Sequence, residues 1–134
     1  MFRKIVLPLW LSVALLLACS VAYFPPYDAG IVSDATALKV QTLAFIDSGA
    51  RDAAYFKSAY AQLDDLWTAA SAYQHNEPTI GIIDNLKENM ILFQELAEGD
   101  PIPPEAMLII RSTLGAQFDQ LIDLENAKRK EVQR

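Results

Sequence analysis

Four stretches of the chain repeat apolar residues at steps of three and four, and the first three are closed by glycine or proline. That spacing builds one apolar face on an α-helix, in which 3.6 residues complete a turn. In the first stretch, about 29–47, Ile31, Ala35, Leu38, Thr42 and Phe45 keep the step, and Ser48-Gly49 supplies the stop. In the second, about 51–75, Phe56, Ala59, Leu63, Leu66, Ala70 and Tyr73 keep it, with Tyr60 and Trp67 alongside; Asn76 and Pro78 close it. The third, about 79–98, carries Ile83, Leu86, Met90, Phe93 and Ala97, and ends at Gly99-Asp100 and the prolines at 101, 103 and 104. The fourth, about 104–130, carries Met107, Ile110, Leu114, Phe118, Leu121 and Leu124, with Pro104 and Glu105 suited to a helix start. Asp28 is placed to cap the first helix. No segment alternates strictly, so strands are not expected. Short connections make successive helices antiparallel. The expected fold is all-α: an up-down-up-down four-helix bundle over 29–134, each helix about 30 Å long. An even number of helices returns the C-terminus to the end where the chain comes in.

Upstream of the bundle the pattern changes. MFRK gives a short basic start, and residues 5–18, IVLPLWLSVALLLA, form an uncharged apolar run. The only cysteine, Cys19, follows at once. Basic, apolar and then small residues is the order of a secretory signal. Fourteen residues are short for a membrane span, which needs about 20. Residues 20–27, SVAYFPPY, then read as a tether stiffened by Pro25-Pro26.

Leu16-Leu17-Ala18-Cys19 resembles a bacterial lipobox: an aliphatic residue, a tolerant position, a small residue and the obligatory cysteine. The resemblance covers only the leader. It implies that the Cys19 thiol carries diacylglyceryl, that cleavage falls between Ala18 and Cys19, and that the new amino group is acylated, commonly by palmitate. The expected layout is a signal peptide over 1–18, a lipidated tether over 19–28 and the bundle over 29–134. Several acyl chains hold far more firmly than one, at about 0.8 kcal/mol per buried methylene. Ser20 departs from the aspartate that marks inner-membrane retention in Gram-negative lipoproteins. By that resemblance the protein is an outer-membrane lipoprotein facing the periplasm. An alternative stays open: residues 5–24 contain no charge and are long enough to span a bilayer uncleaved, with Arg3 and Lys4 inside. Either arrangement puts the bundle outside the cytoplasm.

The charge is unevenly placed. The chain carries a formal net charge of -6, and with Arg3 and Lys4 set aside the remainder is -8. Such an acidic body is not a nucleic-acid binder, which needs a basic face against phosphate. Lys128, Arg129, Lys130 and Arg134 form a basic tail. It suits the negative end of the last helix dipole; a second reading is attraction to anionic lipid. One cysteine leaves no internal disulfide.

No constellation in the sequence points to a reaction. His75 is the only histidine, and its neighbours Gln74, Asn76 and Glu77 do not supply the helical spacing of a metal site. Met90 could face His75 across a haem, but it lies on an unbroken apolar stripe and is expected in the core. Asp64 and Asp65 are adjacent and cannot share one site. Asp84, Glu88, Glu95, Asp119 and Asp123 fall on polar faces. There is no nucleophile elbow and no phosphate-binding glycine loop. The chain is expected to be no enzyme and to hold no cofactor or metal.

One oddity remains. Met90-Ile91-Leu92-Phe93 and Met107-Leu108-Ile109-Ile110 are unbroken apolar runs, and four consecutive helical residues point nearly all round the axis. Some of Ile91, Leu92, Leu108 and Ile109 must face outward. They are the expected surface for a protein partner or for self-association, the other reading being a wide core face with ordinary exposed aliphatics. The function expected is structural or adaptor-like, through helix faces; a binding module for a small apolar ligand within the bundle is the alternative.

Overall fold

A computed structural model of the chain describes residues 25–131, so the leader, Ala18, Cys19 and Arg134 lie outside the described residues. Four helices follow one another: α1 (Ala29–Asp47), α2 (Ala53–Ser71), α3 (Glu77–Glu98) and α4 (Pro104–Glu131). Among the described residues there is no strand. Each helix packs on two others in a closed ring, α1 on α2 and α4, and α3 on α2 and α4. This is the antiparallel four-helix bundle that the periodicity predicts. We call the end holding residues 25–28, the α2–α3 connection and the end of α4 the base. The α1–α2 and α3–α4 connections form the far end. No helix among the described residues is long and apolar enough to cross a membrane.

The helix ends obey local chemistry. Asp28 is the N-cap of α1, and its Oδ1 accepts from the Gly30 N–H at 2.8 Å and the Ile31 N–H at 3.3 Å. At the other end of α1 the Gly49 N–H donates to Ile46 and the Ala50 N–H to Phe45, each at 3.1 Å. That is the paired closure of a helix through a left-handed residue. Gly49 supplies it with a φ of 96°. Ala50 comes next at φ 56° and turns its methyl into the core.

The expected seams are largely the core. Ile31, Ala35, Leu38, Thr42 and Phe45 of α1 are buried, as are Phe56, Ala59, Leu63, Leu66 and Ala70 of α2. Ile83, Leu86, Met90 and Phe93 of α3 and Leu114, Phe118 and Leu121 of α4 complete it. Towards the far end Phe45 stacks on Tyr55 at 3.9 Å, and Phe56 and Phe93 meet it edge-on at 5.3 and 5.9 Å. The Tyr55 hydroxyl donates to Thr42 Oγ1 at 2.6 Å. Burial pushes the Tyr55 phenol up to about 12, against the opposing effect of that hydrogen bond.

The structure departs from the periodicity chiefly at the base, although Ala97, Met107 and Ile110 of the expected seams are also only half-buried towards the far end. α2 ends at Ser71, well before Tyr73 and His75. The Asn76 side-chain N–H donates to the Ala70 carbonyl at 2.9 Å, closing the helix early, and His75 takes a left-handed backbone at φ 60°. In α4 the buried seam does not run through Leu124, which is half-buried. It continues from Leu121 to Glu125 and Lys128.

Candidate functional site

Two regions of the bundle differ from ordinary core and ordinary surface. The first is a set of charged and polar groups buried at the base. Glu125 is 0% exposed and Lys128 4%, with Asn76 and Thr79 equally enclosed beside them. Both charged residues project from the face of α4 that carries Leu114, Phe118 and Leu121, because the steps of four and three continue unbroken through 125 and 128. The Lys128 ammonium donates to Glu125 Oε2 at 2.7 Å, Asn76 Oδ1 at 2.6 Å and Thr79 Oγ1 at 3.0 Å. An ammonium has three N–H groups, so its donors are fully used. The second carboxylate oxygen, Glu125 Oε1, accepts from the backbone N–H of Asp28 at 2.9 Å. Asp28 Oδ2 in turn accepts from the Tyr73 hydroxyl at 2.8 Å. That hydrogen bond to a carboxylate holds the Tyr73 phenol above its usual range. Just outside, the Arg129 guanidinium lies 5.9 Å from the centre of the Tyr27 ring.

This cluster limits what the base can bind. A crevice of about 360 Å³ opens there, lined by residues including Pro25, His75, Pro78, Leu124 and Lys128. Lys128 has no proton to spare for an anion. The lipid reading of the basic tail also loses this residue: of its four cations, Lys128 is enclosed and paired. Arg129 and Lys130 are exposed, with Glu131 beside them.

The second region is apolar and lies towards the far end. Ile91, Leu92, Leu108 and Ile109 are all exposed, Leu108 and Ile109 at 67%. They do not form one face. Successive helical residues point about 100° apart. Ile91 falls on the flank of α3 that meets α2, where Lys87 pairs with Asp64 and the Tyr60 hydroxyl donates to Gln94. Leu108 falls beside α1, in a crevice with Ile46, Met107 and Arg111. Arg111 there pairs with Asp47 at 3.0 Å, and the guanidinium holds the Asp47 carboxyl below its usual range. Leu92 and Ile109 turn the other way and share the outer side of the α3–α4 pair. Leu96, 52% exposed and one turn beyond Leu92, extends that strip. By helical angle, two of the four expected residues thus point to one side, the other two to separate flanks, and Leu96 lies on the side of Leu92.

The remaining candidates are dispersed. Asp84, Glu88, Glu95, Asp119 and Asp123 are exposed. Met90 is fully buried, with the Tyr55 hydroxyl 3.9 Å from its sulfur. It stands about 20 Å up α3 from the helix start next to His75, at 1.5 Å per residue, too far for the two to hold one haem. Among the described residues no group of three or more His, Cys, Asp or Glu could hold a metal ion. Crevices open at both ends of the bundle, around the base and around the two far-end connections.

No protein-family model, curated protein or solved structure matches the chain.

Proposed function

We propose that this is a bacterial envelope lipoprotein, acylated at Cys19, whose helical bundle works outside the cytoplasm as a structural or adaptor protein. The observation that carries the reading is the placement of the only cysteine, directly after MFRK and a 14-residue apolar run, in the order Leu16-Leu17-Ala18-Cys19. The bundle is consistent with the role. Its chain enters at the base, and the exposed strip of Leu92, Leu96 and Ile109 lies towards the opposite end, where a membrane below would leave it accessible. Outer-membrane residence rests on Ser20 by the same resemblance.

The deciding experiment is expression of the full chain in a bacterium fed labelled palmitate, alongside Cys19→Ala and a culture treated with an inhibitor of lipoprotein signal peptidase. Label is expected only on the Cys19 protein, with a larger precursor accumulating under the inhibitor. Full-length, unlabelled protein in both forms would assign residues 5–24 to an uncleaved membrane anchor instead. For the adaptor role, Leu92→Asp with Ile109→Asp is expected to leave helix content and melting unchanged while reducing partner capture or self-association on intact membranes. Unchanged capture and unchanged oligomeric state would remove the strip from the proposal.

A further inference from the structure

The junction between tether and bundle is built into the buried cluster. Asp28 reaches three elements with three different atoms: Oδ1 caps the first turn of α1, Oδ2 accepts from Tyr73 in the α2–α3 connection, and its N–H donates to Glu125 on α4. Glu125 divides its two oxygens between that tether N–H and Lys128. Lys128 carries the connection on to Asn76 and Thr79, and Asn76 closes α2. Tyr27 lies against Arg129 one residue upstream. The tether therefore completes the hydrogen bonding of a carboxylate that has no access to water. Were Asp28 to leave, one oxygen of a buried anion would lose its partner, which is strongly unfavourable.

We infer that Asp28, Tyr73, Glu125 and Lys128 form a latch through which the tether, the α2–α3 connection and the last turns of α4 open and close as one unit. A separate, freely pivoting tether would open without disturbing α4. The latch arises from the geometry of the bundle itself, and holds whether the chain upstream is secured by lipid at Cys19 or by a span. Its failure is thus distinct from failure of the lipoprotein reading.

The test is amide hydrogen exchange on the full chain in detergent micelles, comparing the parent protein with Tyr73→Phe, Asp28→Asn and Asp52→Ala. Tyr73→Phe removes one hydroxyl and leaves the α1 cap in place. Asp28→Asn retains an Oδ1 for the cap and replaces the acceptor that faces Tyr73. Asp52→Ala removes the N-cap of α2 at the far end, where Asp52 accepts from the Ala54 N–H at 3.0 Å. Latch opening predicts that Tyr73→Phe and Asp28→Asn each raise exchange about tenfold, and by similar factors, in residues 29–32 and 125–131. Residues 83–93 are expected to be unaffected. Asp52→Ala is expected to act on the start of α2 and not on the end of α4. A rise confined to residues 29–32, no rise in either variant, or an equal response of the α4 end to Asp52→Ala would each overturn the latch.

Discussion

Lys128→Met is expected to destabilise the protein by about 3–5 kcal/mol, the range for removing one partner of a buried ion pair. The substitution keeps the length and apolar stem of the side chain. What it removes is the ammonium, leaving Glu125 0% exposed with one oxygen unpaired, and Asn76 and Thr79 without their donor. At roughly 4–8 °C per kcal/mol for a domain of this size, the melting temperature should fall by at least about 10 °C. Urea unfolding tracked by helical circular dichroism measures it. Removing both charges together, as Glu125→Leu with Lys128→Met, should recover much of the loss, because no uncompensated charge then remains inside. Arg111→Ala is the comparison: its pair with Asp47 is exposed, and exposed pairs contribute little. A cost for Lys128→Met as small as that of Arg111→Ala would mean that water reaches Glu125.

A second large effect is expected at Phe93. This ring is 1% exposed and meets Phe56 at 5.3 Å and Phe45 at 5.9 Å, both edge-on. Phe93→Ala should cost about 3–5 kcal/mol through lost transfer free energy and the cavity left behind. Because the aromatic group joins α1, α2 and α3, the remaining rings lose their shared neighbour and the near-ultraviolet dichroism should weaken. Phe93→Leu fills most of the volume and is expected to cost far less, limited mainly to the edge-on ring contacts at about 0.5–1.5 kcal/mol. Equal losses for the two variants would show that the core around Phe45 and Tyr55 collapses onto the smaller side chain.

These two sites differ in how far the sequence exposes them. The steps through Phe45, Phe56 and Phe93 mark core positions directly, since periodicity reports which side of a helix faces inward. The same arithmetic also reaches Glu125 and Lys128, four and seven residues beyond Leu121. It is the chemical identity of the residues that hides them: a charged residue near a helix C-terminus reads as a solvated dipole partner. The unbroken step is the available signal. Tyr73 is hidden for a different reason. It keeps the α2 period, but α2 stops at Ser71, and the Asn76 side chain just beyond takes the Ala70 carbonyl. Asn76 is legible as a residue that closes the helix; that it reaches back to the Ala70 carbonyl, and so ends α2 before Tyr73, is not. At the far end, outward-facing aliphatics are legible in unbroken apolar runs, whereas their division between flanks depends on which neighbour each helix meets. Leu96 is legible as the residue one turn after Leu92. The leader motif remains a matter of sequence alone.

Holding residues 25–28 against the base has a consequence for the space a membrane-bound bundle can explore. Free, those four residues would add roughly 14 Å of slack, at about 3.3–3.6 Å each. With them held, and under the proposed attachment at Cys19, six peptide steps to Pro25 remain, a span of at most about 22 Å. Leu92, Leu96 and Ile109 stand about 20–30 Å above the base along their helices. Under that proposed attachment the strip would sweep a shallower shell over the bilayer than with residues 25–28 released. For a partner fixed at that height, a shorter leash concentrates the two surfaces, and the local concentration rises as the leash length falls, down to the span it must bridge.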